Sequence, residues 1–349
     1  MCPVCNGLLV YAQRLFLLAL LVLSSGCVAH LQRGPGPVGD YRYTPPLDAH
    51  PFFETNGPID IEVSEPIDRT RFHEIVNLRF RSNGTHGGPD GIVEAVYYRS
   101  RSPGAKKLVI VLPIWGTSTY PPSRISRGYA RRSRGDANII WVLGTYPLFP
   151  WSGLSSTATE EEFIEMAQAS ADRYRSAVVD LRSLLDWAET QPNIDSSRIA
   201  MVGFSMSALV TATLMGNDPR VSAAVLMMGA ADFAEIFTVC GARAGEVREH
   251  VLTEFGWSLE RYHDFFQGLF APADPIGYAG RYDPDRIFMI DAAFDDCMPR
   301  SARDALWHAT GRPKRLTLLS RHKSGFYSLT PLGLNFVRRK IYAFLDEHL

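Results

Sequence analysis

The chain has 349 residues, of which 46% are hydrophobic and 21% are charged, and its formal net charge is -1. This is an ordinary globular composition; the length alone would allow two domains, although open α/β sheets of this size often form one. Because a net charge so near zero creates no global field that favours nucleic acid, we expect no nucleic-acid partner.

Residues 1–26 have the features of a signal peptide. Arg14 supplies a positive flank, residues 15–23 form an uninterrupted apolar stretch, and residues 24–26 are small, as a cleavage site requires. The apolar stretch is too short to span a bilayer, since a helix of this length rises only about 14 Å. Cleavage before Cys27 would resemble the processing of bacterial lipoproteins, in which the new N-terminal cysteine is lipidated.

The lipoprotein resemblance implies a membrane partner, held through an N-terminal lipid anchor, and a location in the bacterial cell envelope. Val28 rather than aspartate follows Cys27, which favours the outer membrane if the source is Gram-negative. An ordinary secretory signal, giving a secreted or periplasmic protein, and an uncleaved anchor are the alternatives. Residues 27–58 contain glycine, proline and polar residues with little periodicity, so we predict a tether there and a folded domain over 59–349.

Two strands begin the folded part, and strands then alternate with helices. The predicted strands are 72–81, 92–99, 108–112, 138–143, 199–202, 221–228, 287–290 and 316–319. The predicted helices are 158–189, 208–215, 301–310 and 332–349. This alternation predicts an α/β fold with a mostly parallel, doubly wound sheet.

Residues 232–283 interrupt the alternation and are rich in aromatic side chains. They form either a helical cap over the functional site or a helical excursion that packs on the core, and the sequence leaves both open.

The most informative stretch runs from an apolar strand into an apolar helix. Residues 199–202 are apolar, Gly203-Phe204-Ser205-Met206-Ser207 follows, and residues 208–215 are small and apolar nearly all round. A serine at such a corner lifts its hydroxyl above the sheet edge, beside the unpaired first N–H groups of the helix. The stretch resembles the nucleophile elbow, Gly-x-Ser-x-Gly, of the α/β-hydrolase superfamily, with Ser207 in place of the last glycine.

In that superfamily an acid and then a histidine follow the nucleophile along the chain. The resemblance implies that Ser205 is the nucleophile and that His322, which comes shortly after the last predicted strand, is the base. Asp295 would be the acid that orients the base, because residues 292–299 resemble the family's Gly-x-x-Asp-x-x-x-Pro with alanine in place of the glycine. Asp296 is the immediate alternative for the acid and Asp232 a more distant one.

Two backbone N–H groups are needed to hold a developing oxyanion. Met206, directly after the elbow serine, supplies one in the resemblance. Trp115 would supply the other, since Pro113-Ile114-Trp115-Gly116 aligns with the family's His-Gly-x-Gly loop and shares its last glycine. The alternative is that Trp115 only forms a wall of the pocket.

The resemblance covers about residues 70–349 and favours the dienelactone-hydrolase-like and acyl-peptidase-like branch. It implies a serine hydrolase that cleaves carboxylic esters of a small-molecule acyl substrate through an acyl-enzyme on Ser205, without a cofactor. A peptidase or acyltransferase could use the same three residues, and a non-enzymatic lipoprotein could keep the fold as a binding module. We predict no metal site, because no His, Asp and Glu cluster has ligand spacing.

Cysteine usage leaves one question open. Cys2, Cys5 and Cys27 lie in or directly after the predicted signal peptide, whereas Cys240 and Cys297 lie in the predicted domain. The latter two could form a disulfide in an oxidising compartment, but the sequence alone does not show their separation.

Overall fold

The computed structural model describes residues 30–34, 39–55, 59–82, 91–114, 120–144, 148–149, 154, 157–326 and 335–349, with only the backbone for 30–33. Cys27 and the predicted signal peptide therefore lie outside the described residues. Among the described helices, none combines the length and the apolar character that crossing a membrane requires.

One mixed sheet forms the centre of the described fold. Its strands are β1 (His30–Arg33), β2 (Glu62–Val63), β3 (Asp68–Arg69), β4 (His73–Arg81), β5 (Ile92–Ser100), β6 (Lys106–Val111), β7 (Ala137–Val142), β8 (Ile194–Phe204), β9 (Val221–Met227), β10 (Ile287–Ala292) and β11 (Lys314–Leu318). Their order across the sheet is β1-β11-β10-β9-β8-β6-β7-β5-β4-β2, with β3 paired to β4.

The strands from β6 to β11 are parallel to one another, whereas β1 to β5 pair antiparallel with their neighbours. The predicted α/β class with a mostly parallel sheet is therefore confirmed. β6 lies between β7 and β8, so the strand order reverses beside β6. In a doubly wound sheet, ligands bind beyond the carboxyl ends of the strands at such a reversal.

Helices cover both faces of the parallel strands. They are α1 (Pro122–Ser133), α2 (Glu160–Glu189), α3 (Met206–Met215), α4 (Phe233–Val239), α5 (Ala242–Glu254), α6 (Leu259–Phe270), α7 (Arg300–Ala309), the short α8 (His322–Gly325) and α9 (Phe336–His348). Successive strand side chains point to opposite faces. Val109 of β6 packs in the same cluster as α1 and α9, and Ile110 packs with α2 and α3. This two-sided burial explains why the parallel strands are apolar runs rather than alternating patterns.

The segment 232–283 contains α4, α5 and α6, whose aromatic side chains pack on one another and on α2. The ring centroids of Phe233 and Phe270 are 4.6 Å apart, and those of Phe237 and Phe266 are 4.3 Å apart. Tyr174 of α2 meets Phe233 edge to face at 5.2 Å. The segment is therefore packed on the core where it is described; its action as a cap stays a prediction.

The predicted tether over 27–58 requires correction, because β1 (His30–Arg33) pairs with β11 of the sheet and later residues of the segment contact the domain. The backbone N–H of His50 donates to Oδ1 of Asn217 at 2.9 Å, and Arg182 donates to the carbonyl of Phe53 at 2.5 Å. Phe53 itself is 0% exposed. The described residues up to Phe53 thus lie against the domain, because Phe52-Phe53 supplies apolar surface that a solvated tether would leave in water.

Candidate active site

The corner between β8 and α3 holds Ser205 in a strained backbone conformation. Its φ is 53° and its ψ is -125°, which an L-residue rarely adopts. The turn also needs Gly203, because a Cβ there would lie 2.4 Å from the carbonyl oxygen of Ser207. The helix therefore approaches the strand so closely that position 203 has room only for glycine, which lacks a Cβ.

Ser207, at the position of the family's last glycine, has a definite place in this turn. Its Oγ accepts from the backbone N–H of Phe204 at 2.7 Å and donates to the carbonyl of Phe204 at 2.9 Å. A hydroxyl can do both, since it carries one donor and two lone pairs. The departure from the family pattern thus adds hydrogen bonds across the turn instead of opening it.

The structure brings Ser205, His322 and Asp295 together in a hydrogen-bonded chain. Nε2 of His322 lies 3.0 Å from Oγ of Ser205, and Nδ1 lies 2.8 Å from Oδ2 of Asp295. An ionised carboxylate only accepts hydrogen bonds, so the proton of the neutral ring belongs on Nδ1. Nε2 is then free to accept the proton of the Ser205 hydroxyl.

Asp295 is held by the backbone of its own loop. Its Oδ1 accepts from the N–H groups of Cys297 at 2.9 Å and Met298 at 2.8 Å, and its side chain is 0% exposed. The two alternative acids have other places. Asp296 is exposed and contacts Gly241 through its carbonyl, while Asp232 accepts from the N–H of Glu235 at the start of α4.

The electrostatics of His322 depend on Asp295. Burial of the ring lowers the pKa of His322, but the hydrogen bond and the negative charge of Asp295 raise it. The net result is a pKa above the ordinary 6.5. The site therefore favours the imidazolium that forms when the ring takes a proton.

Of the two predicted oxyanion donors, the structure describes one. Met206 is the first residue of α3, so no carbonyl lies one helical turn earlier to accept from its N–H. Trp115 lies outside the described residues. The chain leading to it is placed beside the elbow strand, because the N–H of Leu112 donates to the carbonyl of Val202 at 2.9 Å.

Sequence reasoning missed a buried charge cluster beneath the loop of Asp295. Nη1 of Arg303 donates to Oδ2 of Asp291 at 3.0 Å, and Nε of Arg303 donates to the carbonyl of Met298 at 3.0 Å. Arg315 donates to the same carboxylate at 2.9 Å through Nε. Arg303, on α7, therefore links β10 to a residue that binds Asp295. Its sequence context, a charged helix, gives no signal of burial.

The described residues contain no group of three or more His, Cys, Asp or Glu side chains placed to hold a metal ion.

Comparison with known proteins gives structural but not sequence relatives. No family model and no curated protein matches the chain. An acetyl xylan esterase from a Paenibacillus species matches with a TM-score of 0.57 and 14% identity over 89% of this chain and 98% of that chain. Another, from a Thermoanaerobacterium species, matches with a TM-score of 0.56 and 16% identity over 82% and 90%.

A third structure, the acylaminoacyl peptidase of Pyrococcus horikoshii, has a TM-score of 0.51 and 12% identity, with 84% of this chain and 42% of that chain covered. At such identities the likeness concerns the fold. The chain has the α/β-hydrolase fold that these structures share.

Proposed function

We propose that this protein is a serine hydrolase that cleaves carboxylic esters through an acyl-enzyme on Ser205. The observation that carries the proposal is the hydrogen-bonded chain from Ser205 through His322 to Asp295 at a strained strand–helix corner. A serine hydroxyl becomes nucleophilic when an oriented base takes its proton, and these contacts are the ones that such a step needs.

The proposed reaction has two halves. Ser205 Oγ attacks the acyl carbonyl while Nε2 of His322 takes its proton, and the N–H of Met206 donates to the oxyanion. His322 then gives the proton to the leaving alcohol. Water attacks the acyl-enzyme with His322 again as base, which releases the carboxylic acid and restores the serine.

An ester of a short acyl group is the substrate class that we propose. The two acetyl xylan esterases that share the fold support it, since their names record removal of an acetyl group from a carbohydrate. The alternatives are a peptidase and an acyltransferase, both of which would form the same acyl-enzyme. A peptidase would release an amine instead of an alcohol, and an acyltransferase would pass the acyl group to an acceptor other than water.

The test uses Ser205→Ala and a matched serine variant. Ser197 lies on the same strand as the elbow but near its other end, exposed and hydrogen-bonded to Asp195. We expect Ser205→Ala to lose hydrolysis of p-nitrophenyl acetate and labelling by a fluorophosphonate probe, with an unchanged circular dichroism spectrum. Ser197→Ala should keep both.

Two outcomes would overturn parts of this proposal. Wild-type turnover by folded Ser205→Ala would remove the assignment of the nucleophile. Labelling of Ser205 in a protein that hydrolyses acylated peptides but no esters would keep the nucleophile and replace the esterase with a peptidase.

We also propose that a lipid on Cys27 anchors the mature protein to a membrane of the bacterial cell envelope. The support is the sequence alone: a short apolar stretch ends in Ser24-Ser25-Gly26-Cys27. In a bacterial host, Cys27→Ser should move the protein from the membrane fraction to the soluble fraction. Unchanged membrane association of that variant would point instead to an uncleaved anchor.

A further inference from the structure

Two thiols meet beside the loop that carries Asp295. Cys240 directly follows α4, and Cys297 comes two residues after Asp295. Both are free cysteines, yet their sulfur atoms are only 2.9 Å apart. Because bonded sulfurs are separated by about 2.05 Å, a closure of less than about 1 Å would join them.

Hydrogen bonds hold the backbone on both sides of this contact. The N–H of Gly241 donates to the carbonyl of Asp296 at 3.3 Å, so the end of α4 is already joined to the loop. Arg248 of α5 donates to the carbonyl of Cys240 at 3.0 Å. On the other side, the N–H of Cys297 donates to Asp295. The two sulfurs are therefore positioned by contacts that do not depend on a bond between them.

We propose that Cys240 and Cys297 form a reversible disulfide that fastens the loop of Asp295 to the end of helix α4. The bond would close a loop between residues 57 positions apart in the sequence. It would join the predicted cap segment to Cys297. The N–H of Cys297 donates to the carboxylate of Asp295, which in turn orients His322.

The oxidant is a disulfide, carried by a small molecule or by a thiol-oxidising protein. One of the two thiols attacks the oxidant's disulfide as its thiolate, and one oxidant thiol leaves with the proton of that cysteine. The other cysteine then attacks the sulfur of the mixed disulfide that belongs to the chain, and the second oxidant thiol leaves with its proton. In sum, the chain's two thiols are oxidised to one disulfide, and the oxidant's disulfide is reduced to two thiols.

The first experiment detects the bond without using activity. Trypsin separates the two cysteines into peptides 221–243 and 287–300, each of which contains one cysteine. After equilibration of the full-length protein with oxidised glutathione, mass spectrometry should find these peptides linked, and dithiothreitol should separate them. Cys240→Ser should abolish the link. Complete alkylation of both thiols in the folded protein after oxidation would overturn the proposal.

The second experiment measures what the bond does. The oxidised wild type should melt about 5 °C or more above the reduced wild type, and Cys240→Ser should show no such shift. Equal melting temperatures of the two wild-type states would contradict the fastening role.

The effect on turnover rests on the proposed function. Reduction should lower kcat for p-nitrophenyl acetate about two- to fivefold with KM unchanged, since Asp295 contacts the imidazole and not the substrate. Equal kcat in both states would show that the bond does not position Asp295. A linked peptide in a protein with no ester hydrolysis in either state would keep the disulfide and remove the proposed function instead.

Discussion

At the scale of single residues, the strain of the site lies in the backbone of Ser205. The backbone conformation of Ser205 costs on the order of 1–3 kcal/mol relative to a relaxed residue. Hydrogen bonds on both sides offset this cost: its N–H donates to Met227 at 2.8 Å, and its carbonyl accepts from Ala208 at 2.9 Å. The strain is therefore maintained by the strand and helix that flank it, and it is what directs the hydroxyl towards His322.

Asp295 and the adjacent Asp296 differ clearly in their contacts, so a substitution at Asp296 is a control for the same substitution at Asp295. Asp295→Asn replaces an acceptor of the His322 ring proton with an amide and removes the charge that favours the imidazolium. We expect a loss of about 10⁴-fold in kcat for p-nitrophenyl acetate, the size found for the same change in a serine protease.

Asp296→Asn should keep most of the activity, because that side chain is exposed and its contact with Gly241 uses the backbone carbonyl. Circular dichroism spectra should establish that both variants fold. Inactivity of Asp296→Asn together with activity of Asp295→Asn would reverse the assignment of the acid.

The raised pKa of His322 has a direct consequence for the pH dependence. In the proposed reaction the ring must be neutral to take a proton, so we expect kcat/KM to fall as the pH decreases through the pKa of the free enzyme. Because Asp295 raises that pKa above 6.5, the midpoint of the acidic limb should lie above pH 6.5.

Asp295→Asn removes the two largest contributions that oppose the pKa-lowering effect of burial, and only the smaller ones of Cys297 and Asp296 remain. The acidic limb of its residual activity should therefore move to lower pH than that of the wild type. Profiles of kcat/KM from about pH 5 to pH 9 measure both midpoints. Identical midpoints would mean that Asp295 does not control the charge of the ring.

At the scale of elements, β10 and α7 together support the loop that connects them. Arg303 of α7 is 4% exposed and holds both Asp291 of β10 and the carbonyl of Met298. Arg303→Met should leave that carbonyl without this donor and should lower the free energy of unfolding by about 1–3 kcal/mol. Arg315 still pairs with Asp291, so the carboxylate is not left unpaired.

The same variant separates a positioning effect from a merely structural one. If Arg303 acts through the loop of Asp295, Arg303→Met lowers kcat more than it raises KM for p-nitrophenyl acetate. Arg300→Met on the same helix is the control, because the side chain of Arg300 is 80% exposed and its ion pair with Asp304 is on the surface. Equal effects of the two variants on unfolding and kcat would contradict the role of Arg303.

The elements that the sequence predicted are those with a strong periodic signal. The parallel strands were found because burial on both faces makes them apolar runs, and α2 because its apolar residues recur at helical spacing over thirty positions. α1 was missed: its sequence is rich in arginine, and its core contact rests mainly on Ile125, Tyr129 and Ala130. The two-residue strands β2 and β3 carry no pattern, since their side chains are exposed.

At the scale of the whole molecule, the site is assembled from distant segments by the order of the strands. Ser205 follows β8, Asp295 follows β10 and His322 follows β11, so parallel strands deliver all three to one edge of the sheet. Chain order and strand ends could be read from the sequence by resemblance to a known pattern. The positions of Arg303 and of the sulfur pair could not, because they depend on how α7 and α4 pack rather than on any local pattern.

The N-terminal segment before β2 is part of the same body and supplies the last prediction. Phe53 is 0% exposed and its ring centroid lies 5.0 Å from that of Phe52, while Leu47 is 86% exposed. Removal of a buried phenylalanine ring leaves a cavity as well as lost apolar burial, so Phe53→Ala should lower the free energy of unfolding by about 3 kcal/mol or more. Leu47→Ala should change it by less than about 0.5 kcal/mol.

Urea unfolding of both variants, followed by circular dichroism, measures this difference. If the segment were a tether that is solvated along its whole length, both substitutions would change the free energy of unfolding by small and equal amounts. A large loss for Phe53→Ala alone means that the folded unit begins before residue 59, since the segment contributes to the same cooperative transition as the sheet. Any lipid anchor at Cys27 would then hold the domain through a shorter linker than the sequence composition predicts.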